Sequence, residues 1–179
     1  MAARRDRSLI VLAVKLRLLD VCHPCTIVGS GRAKRTFVAR DVFPVVVHVL
    51  MLRGAELFLL RRANSGFMDG YYALPGGHQK AGESVEAAAQ RECEEETGVY
   101  GTVLSPVCAM PYRSGKHQGL NFVFEALHWQ GEPGIAEPEF FSEAVWVSPE
   151  TLPEPHAIWI SDALRCRADG VWFKEFHWH

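Results

Sequence analysis

The chain has 179 residues, 48% of them hydrophobic and 22% charged, and a net charge of −2. This balance is ordinary for a single globular domain with room for a core. No apolar run approaches the ~18 residues of a membrane helix, which excludes a transmembrane protein. Lys15 and Arg17 interrupt the short apolar stretch near the start, which argues against a signal peptide. We therefore expect a cytoplasmic protein with no membrane partner.

Charge is distributed unevenly along the chain. Residues 1–40 hold nine Lys or Arg and two Asp or Glu, whereas the remainder holds ten and nineteen. We interpret residues 1–41 as an N-terminal extension, either a disordered basic arm or an artefact of start-site choice. Nucleic-acid binding by this segment is the less favoured alternative. Within it, Cys22 and Cys25 form a C-x-x-C pair, which we interpret as reduced thiols because no second pair completes a zinc site.

A predicted β-hairpin follows the extension. The β-branched, apolar segment Val42–Leu52 favours a buried strand, an Arg-Gly pair marks the turn, and Leu57–Leu60 favours the returning strand. Arg61 and Arg62 close the hairpin. Adjacent arginines beside a phosphate site can grip an anion through paired hydrogen bonds. Both are therefore candidate substrate-binding residues.

A glycine-rich loop and an acidic helix come next. Pro75, Gly76 and Gly77 predict a tight loop, because neither residue type is stable inside a helix. The segment Glu83–Thr97 lacks Gly and Pro and is rich in Ala and Glu, which predicts a helix. Gly98 then provides a C-terminal stop.

The glutamates of this helix are in unfavourable places. Four of them crowd its C-terminal end, where the macrodipole disfavours each negative charge by about 0.3–1 kcal/mol: Glu92, Glu94, Glu95 and Glu96. At helical spacing, Glu92 and Glu96 also continue the apolar stripe that begins at Val85. A divalent cation such as Mg²⁺, which prefers oxygen ligands, would offset these costs. A solvated acidic face is the alternative reading.

The C-terminal half alternates predicted strands with irregular segments. Its pattern favours strands over Val99–Met110, Leu120–Trp129 and Ala144–Val147. A closing helix is expected over Ala157–Arg167. Residues 130–138 are rich in Gly and Pro and predict a loop of the kind that carries binding residues. In the aromatic tail 171–179, we interpret His177 and His179 as part of a frayed or packed terminus, not as metal ligands.

The spacing of the loop and helix residues resembles a known family motif. The motif is G-x5-E-x7-R-E-U-x-E-E-x-G-U, with U bulky and aliphatic, and it runs here from Gly77 to Val99. It is the Nudix box, so the chain resembles the Nudix hydrolases (MutT-like). Cys93 at the first U position is the one departure, and as a small hydrophobe it affects packing more than chemistry. The resemblance implies an α/β fold over residues 42–170, an α/β/α sandwich around a mixed sheet, with the box as a loop–helix–loop.

The resemblance also implies an activity and a set of roles. Such enzymes hydrolyse a nucleoside diphosphate linked to another group and use a divalent cation, Mg²⁺ or alternatively Mn²⁺, which neutralises phosphate charge. By box position, the implied metal ligands are the Gly76 carbonyl, Glu92, Glu95 and Glu96. Glu83 is expected to pair with Arg91 and so to orient the helix. Gly77 lets the backbone approach the substrate closely.

The general base and the substrate have several candidates. Glu92 is the first candidate base, and acids near the later loop are the others: Glu137, Glu139 and Glu143. Aromatic side chains available for stacking on a nucleobase are Tyr112, Phe140, Phe141 and Trp146. The extra signatures of NADH, ADP-ribose and diadenosine-polyphosphate enzymes are absent. By elimination we favour a small-molecule substrate, a nucleoside triphosphate, oxidised or not, cleaved to the monophosphate and pyrophosphate.

Two other functions stay open at this point. One is hydrolysis of a nucleotide sugar. The other is a non-catalytic Nudix-like module that binds a nucleotide, although such modules typically lose box glutamates and this chain keeps them all. A homodimer is an open expectation for the assembly, since many relatives of this type are dimers.

Overall fold

The computed structural model describes residues 41–176, in which a mixed β-sheet lies between two helices. The elements in chain order are β1 Val45–Arg53, β2 Glu56–Arg62, β3 Tyr72–Ala73, α1 Val85–Thr97, β4 Tyr100–Ser114, β5 His117–Gln130, β6 Phe141–Val147 and α2 Trp159–Asp169. The expected α/β class, with a sandwich around a mixed sheet, is confirmed.

Strand β1 lies at the centre of the sheet and organises its neighbours. It pairs antiparallel with β2 through a turn at Gly54, where φ is +62°, and parallel with β5 over seven residue pairs that begin at Val45 and end at Met51. Strands β4 and β5 form a long antiparallel hairpin, and β2 also pairs antiparallel with β3 and β6. Helix α1 covers one face of this mixed sheet and helix α2 covers the other.

Alternate residues of β1 fill two separate hydrophobic cores, because successive side chains of a strand point to opposite faces. Val47, Val49 and Met51 pack in the core under α1, whereas Leu50 packs in the core under α2. Cys93 of α1 is fully buried in the first core, with its sulfur 3.6 Å from that of Met51. The cysteine at the aliphatic box position therefore serves as a packing residue, as expected.

Several elements are longer or begin later than their predicted limits. Strand β2 continues through Arg62, and β4 continues past its predicted end to Ser114. A register shift after Pro106 accommodates the proline within β4. Helix α1 begins two residues later than predicted, because the Ser84 hydroxyl accepts a hydrogen bond from the Ala87 N–H at 3.1 Å and caps the helix.

The segment after α2 returns along the outer edge of β4. Phe173 bridges Ala109 and Phe176 bridges Tyr112, both in parallel, and backbone hydrogen bonds link residues 172–176 to β4. This part of the predicted tail is therefore packed. The predictions for Cys22, Cys25, the basic segment, His177 and His179 concern residues outside the described range.

Candidate active site

The glycine-rich loop is held against the central strand by backbone hydrogen bonds. Val49 N–H donates to the Pro75 carbonyl and Val47 N–H donates to the Gly77 carbonyl, each at 2.8 Å. Gly76 has a φ of +150°, and a Cβ built there would lie 2.0 Å from the Val47 carbonyl oxygen. Only glycine fits between the loop and β1, so the sequence at this point fixes how closely the loop approaches the sheet.

Helix α1 brings its acidic end to this loop. Its apolar residues Ala88 and Ala89 are fully buried, which orients the helix so that Glu96 faces the loop and accepts a hydrogen bond from Gly76 N–H at 2.8 Å. The Glu92 carboxylate lies over Gly77, where a Cβ would come within 2.7 Å of it. The predicted box residues on the loop and on the helix are therefore in contact.

Arg91 connects the carboxylates of the site to one another. Its Nε and Nη2 donate to both oxygens of Glu83 at 3.0 and 2.7 Å, and its Nη1 donates to Glu92 at 2.7 Å and to Glu95 at 3.0 Å. Hydrogen bonding from Arg91 is the largest cause that lowers the pKa of Glu83 to about 2. The expected Glu83–Arg91 pair is present, and the same guanidinium also binds the carboxylates of Glu92 and Glu95.

Glu96 is the most deeply buried carboxylate of the cluster, at 6% exposure. Burial is the largest cause that raises its pKa to about 8; the negative charge of Glu92 acts in the same direction, whereas the Gly76 hydrogen bond and Arg62 oppose it. Charge on a buried carboxylate is costly unless a positive partner offsets it. This position therefore favours a nearby cation.

The oxygen atoms of the candidate site are of the chemical type that a hard divalent cation binds. Mg²⁺ and Mn²⁺ take carboxylate and carbonyl oxygens, and the expected set offers these from Glu92, Glu95, Glu96 and Gly76. Among residues 41–176, no three His, Cys, Asp or Glu side chains converge as closely as a bound metal requires. Arg91 engages Glu92 and Glu95 instead, and Gly76 N–H engages Glu96. The oxygen chemistry nevertheless suits such an ion, and the missing side chain of Gly77 leaves the Glu92 carboxylate uncovered on that side.

The two candidate arginines lie on opposite faces of the sheet, because they are consecutive in β2. Arg62 follows Phe58 and Leu60 on the α1 face, and its charge lowers the pKa of Glu96. Arg61 follows Leu59 on the α2 face, where its Nε donates to the Gly70 carbonyl at 3.1 Å. The structure therefore brings Arg62, and not Arg61, to the carboxylates.

The candidate bases also separate into near and distant groups. Glu137 lies at the end of a loop docked on α1 by a hydrogen bond from Ala136 N–H to the Glu96 carbonyl at 3.0 Å. Burial raises the pKa of Glu137, and the charges of nearby acids raise it further: Glu139, Glu95 and Glu92. Glu143 instead accepts a hydrogen bond from Tyr72 Oη at 2.7 Å on the face of Arg61. Of the later acids, Glu137 thus adjoins the box, Glu139 acts on Glu137 through its charge, and Glu143 lies elsewhere.

Two of the four candidate aromatic side chains, Phe141 and Trp146, pack in or against the core under α1. Phe141 is 4% exposed in the core under α1, Trp146 packs between Phe58 and the guanidinium of Arg53, and Tyr112 lies in β4. Phe140 alone is largely exposed, at 45%.

Two exposed side chains near the site were missed from the sequence. Phe67, 60% exposed, is displayed by a loop that Arg62 holds through a hydrogen bond to the Phe67 carbonyl at 2.9 Å. Lys80 extends to within 3.8 Å of Glu95. Its position inside the five-residue gap of the box was the available signal for Lys80. A lone Phe in a polar loop carried no such signal.

No helix within the part of the chain that the structure describes is long and apolar enough to cross a membrane.

Comparison with known proteins agrees with the geometry. A family model described as NUDIX domain matches residues 42–165. The chain is 32% identical over 124 residues to the RNA pyrophosphohydrolase of Erythrobacter litoralis (strain HTCC2594), covering 59% of this chain and 75% of that protein. It is 28% identical over 89 residues to the 8-oxo-dGTP diphosphatase of Escherichia coli (strain K12), covering 50% and 69%.

Solved structures show the same fold. The crystal structure of the MutT NUDIX hydrolase from Burkholderia pseudomallei superimposes with a TM-score of 0.65 at 26% identity, covering 70% of this chain and 98% of that one. The described domain thus has the fold of a solved MutT NUDIX hydrolase. The chain belongs to the Nudix hydrolase family.

Proposed function

We propose that this protein hydrolyses a nucleoside triphosphate, normal or oxidised, to the monophosphate and pyrophosphate in a reaction that requires Mg²⁺, with Mn²⁺ as the alternative ion. The observation that carries the proposal is the buried Glu96, held at 2.8 Å by the Gly76 N–H beside Glu92 and Glu95. A cluster of this kind disfavours its own charge and favours a cation that also meets phosphate oxygens.

Each residue of the candidate site has a role in the proposed reaction. Glu92, Glu95, Glu96 and the Gly76 carbonyl would hold the cation, which supplies neutralisation of phosphate charge and acidification of water. Arg62 contributes positive charge that acts on Glu96, and Gly77 leaves space for close approach. The Arg91–Glu83 ion pair holds the helix and its carboxylates in position.

Proton transfer requires a carboxylate beside the attacking water. The water oxygen forms a bond to phosphorus, the anhydride P–O bond breaks, pyrophosphate leaves, and the base accepts the water proton. Glu92 is our first candidate for this base. Glu137 competes with it, because burial and neighbouring acids raise its pKa toward the range useful for a general base.

The substrate is decided by a hydrolysis screen. We would measure by chromatography the Mg²⁺-dependent formation of nucleoside monophosphate, pyrophosphate and sugar phosphate from the normal deoxynucleoside triphosphates, 8-oxo-dGTP, 5′-triphosphate RNA, ADP-ribose and a nucleotide sugar. The expected result is pyrophosphate from a nucleoside triphosphate. Turnover only of the nucleotide sugar would replace the proposed substrate, and tight nucleotide binding without any product would favour a binding module.

Glu95→Gln tests the catalytic part of the proposal. The variant removes one carboxylate charge from the cluster while keeping its size, so we expect a loss of at least ~100-fold in kcat with an unchanged fold. Glu86→Gln, an exposed change on the same helix, is the matched control and should retain activity. Near-normal turnover by a folded Glu95→Gln would contradict the proposal.

We also place the reaction in the cytoplasm. The described part of the chain contains three cysteines, Cys93, Cys108 and Cys166, all buried and all free thiols, as is common for proteins of a reducing compartment.

A further inference from the structure

Lys80 carries a positive charge beside the carboxylate cluster. None of the roles described above involves this residue. Its side chain is 63% exposed, and its Nζ approaches Glu95 at 3.8 Å. That separation is an ion-pair distance but too long for a hydrogen bond. Its charge also acts on Glu83 and Glu137: it adds to the lowering of the Glu83 pKa that Arg91 causes, and it opposes the raising of the Glu137 pKa that burial causes. The ammonium group is thus close to three carboxylates of the site while its donors face solvent.

The backbone that carries Lys80 is fixed. Lys80 N–H donates to the Glu83 carboxylate at 2.5 Å, and Gln79 Nε2 donates to the Glu83 carbonyl at 2.7 Å. Gln79 N–H donates to the Val45 carbonyl of β1 at 3.0 Å. Because Glu83 is itself clamped by Arg91, the turn is anchored to both the sheet and the helix. A flexible side chain on a fixed turn is placed to meet a ligand in the site.

The other cations at the cluster are already engaged. Arg91 donates to Glu83, Glu92 and Glu95 and to the His78 carbonyl. Arg62 donates from Nε to the Phe67 carbonyl and from Nη2 to Ser65 Oγ. Of the three, the Lys80 ammonium has all its donors available for an incoming anion, within the part of the chain that the structure describes.

We propose that Lys80 is a substrate-binding residue that contacts the phosphate chain of the nucleotide at the solvent side of the carboxylate cluster. The substrate class rests on the function proposed above, whereas the contact itself requires only a polyphosphate bound with Mg²⁺ beside Glu95. An ammonium is a compact point charge, which binds a phosphate oxygen without fixed geometry. Lys80 therefore strengthens binding of the ground state and the transition state alike.

Calorimetry tests the contact without requiring turnover. The probe is inorganic tripolyphosphate with Mg²⁺, titrated into the wild-type protein, Lys80→Gln, Lys80→Arg and the control Lys116→Gln, a lysine in the exposed β4–β5 turn. We expect Lys80→Gln to weaken binding roughly 10-fold, the size of one hydrogen bond to a charged group. Lys80→Arg and Lys116→Gln should bind as the wild type does. Equal affinity of Lys80→Gln and wild type, or no binding by the wild type, would overturn the inference.

Kinetics distinguish a binding role from a structural one. With the nucleotide hydrolysed fastest in the screen, Lys80→Gln should raise KM about 10-fold and leave kcat unchanged, as loss of uniform binding does. A fall in kcat at constant KM would show that Lys80 only positions Glu95, and would overturn the inference. If no nucleotide is hydrolysed, the proposed reaction fails while the tripolyphosphate titration still decides on Lys80.

Discussion

At the scale of single residues, Gly77 and Gly134 form a natural pair for testing the glycine loop. Neither has a positive φ, so neither position forces an alanine into the left-handed region. A Cβ at Gly77 would meet the Glu92 carboxylate at 2.7 Å, whereas a Cβ at Gly134 meets nothing within 4 Å. The difference between them is therefore one of space beside the site.

Gly77→Ala should reduce activity far more than stability. The group it meets is the end of a flexible side chain, which can move at little cost to folding, but a carboxylate displaced by about 1 Å can cost on the order of 100-fold in rate. We expect kcat/KM to fall about 10- to 100-fold with a near-normal melting temperature. Gly134→Ala, measured alongside, should change neither quantity, and an equal loss in both variants would refute the explanation.

The two arginines of β2 show that residue type alone does not decide which side chain faces the carboxylates. Both Arg61 and Arg62 were candidates, and their alternation in a strand guarantees that only one can share a face with the box. The phase of that alternation depends on which face of β2 packs under α1, and Phe58 and Leu60 do so. This choice is made by the packing of distant elements.

At the scale of elements, the glutamates of α1 divide into different roles. Glu92, Glu95 and Glu96 face the loop and Arg91, whereas Glu94 points to the start of β4. There it accepts hydrogen bonds from the N–H and the hydroxyl of Thr102 at 3.2 and 3.1 Å. Thr102 is 5% exposed, so Glu94 fastens the helix to the following strand.

Glu94→Ala should lower stability and leave catalysis intact. The change leaves two donors of a buried threonine without their partner, which costs about 1–3 kcal/mol. Urea denaturation should show this loss, and kcat/KM of the folded protein should stay within about twofold of wild type. Glu94→Gln keeps an acceptor oxygen and should lose less stability. A large drop in kcat/KM for Glu94→Ala would assign it to the active site instead.

Helix α1 was predictable in type because its composition and its box spacing agree. Its exact start was not, since the Ser84 cap decides it. Strand β4 was underestimated for a related reason. Its predicted end was Met110, but residues 111–114 pair with residues 117–120 of β5 and extend the strand to Ser114, a pairing that local sequence does not specify.

At the scale of the whole molecule, His48 couples global stability to pH. It lies on β1 in the face toward α2, fully enclosed, with its ring 5.3 Å from that of Trp159. Burial lowers its pKa from 6.5 to about 4, against a hydrogen bond with Asn121 that raises it. The unfolded chain therefore binds a proton more readily than the folded protein between these two pH values.

Stability should consequently fall as the pH drops through that window. The stabilisation from a neutral His48 is complete above pH 6.5, decreases as the pH falls toward 4, and then levels off, for a total of about 3 kcal/mol. Urea denaturation of wild type and His48→Gln at pH 4.5 and 7 measures it, and the variant should show a flatter dependence. His117→Gln, an exposed control, should keep the wild-type dependence; identical profiles for wild type and His48→Gln would contradict the assignment.

The sequence by itself determined the family, the acidic helix, the glycine loop before it and the Glu83–Arg91 pair, because these depend on residue spacing within 23 consecutive positions. Tertiary structure decided what surrounds that segment: Arg62 faces the cluster, Glu137 adjoins it, and Glu143 is bound to Tyr72 elsewhere. Local spacing sets the relative positions of side chains on one helix or loop. Contacts between segments far apart in the chain follow only from strand register and from the packing of each sheet face.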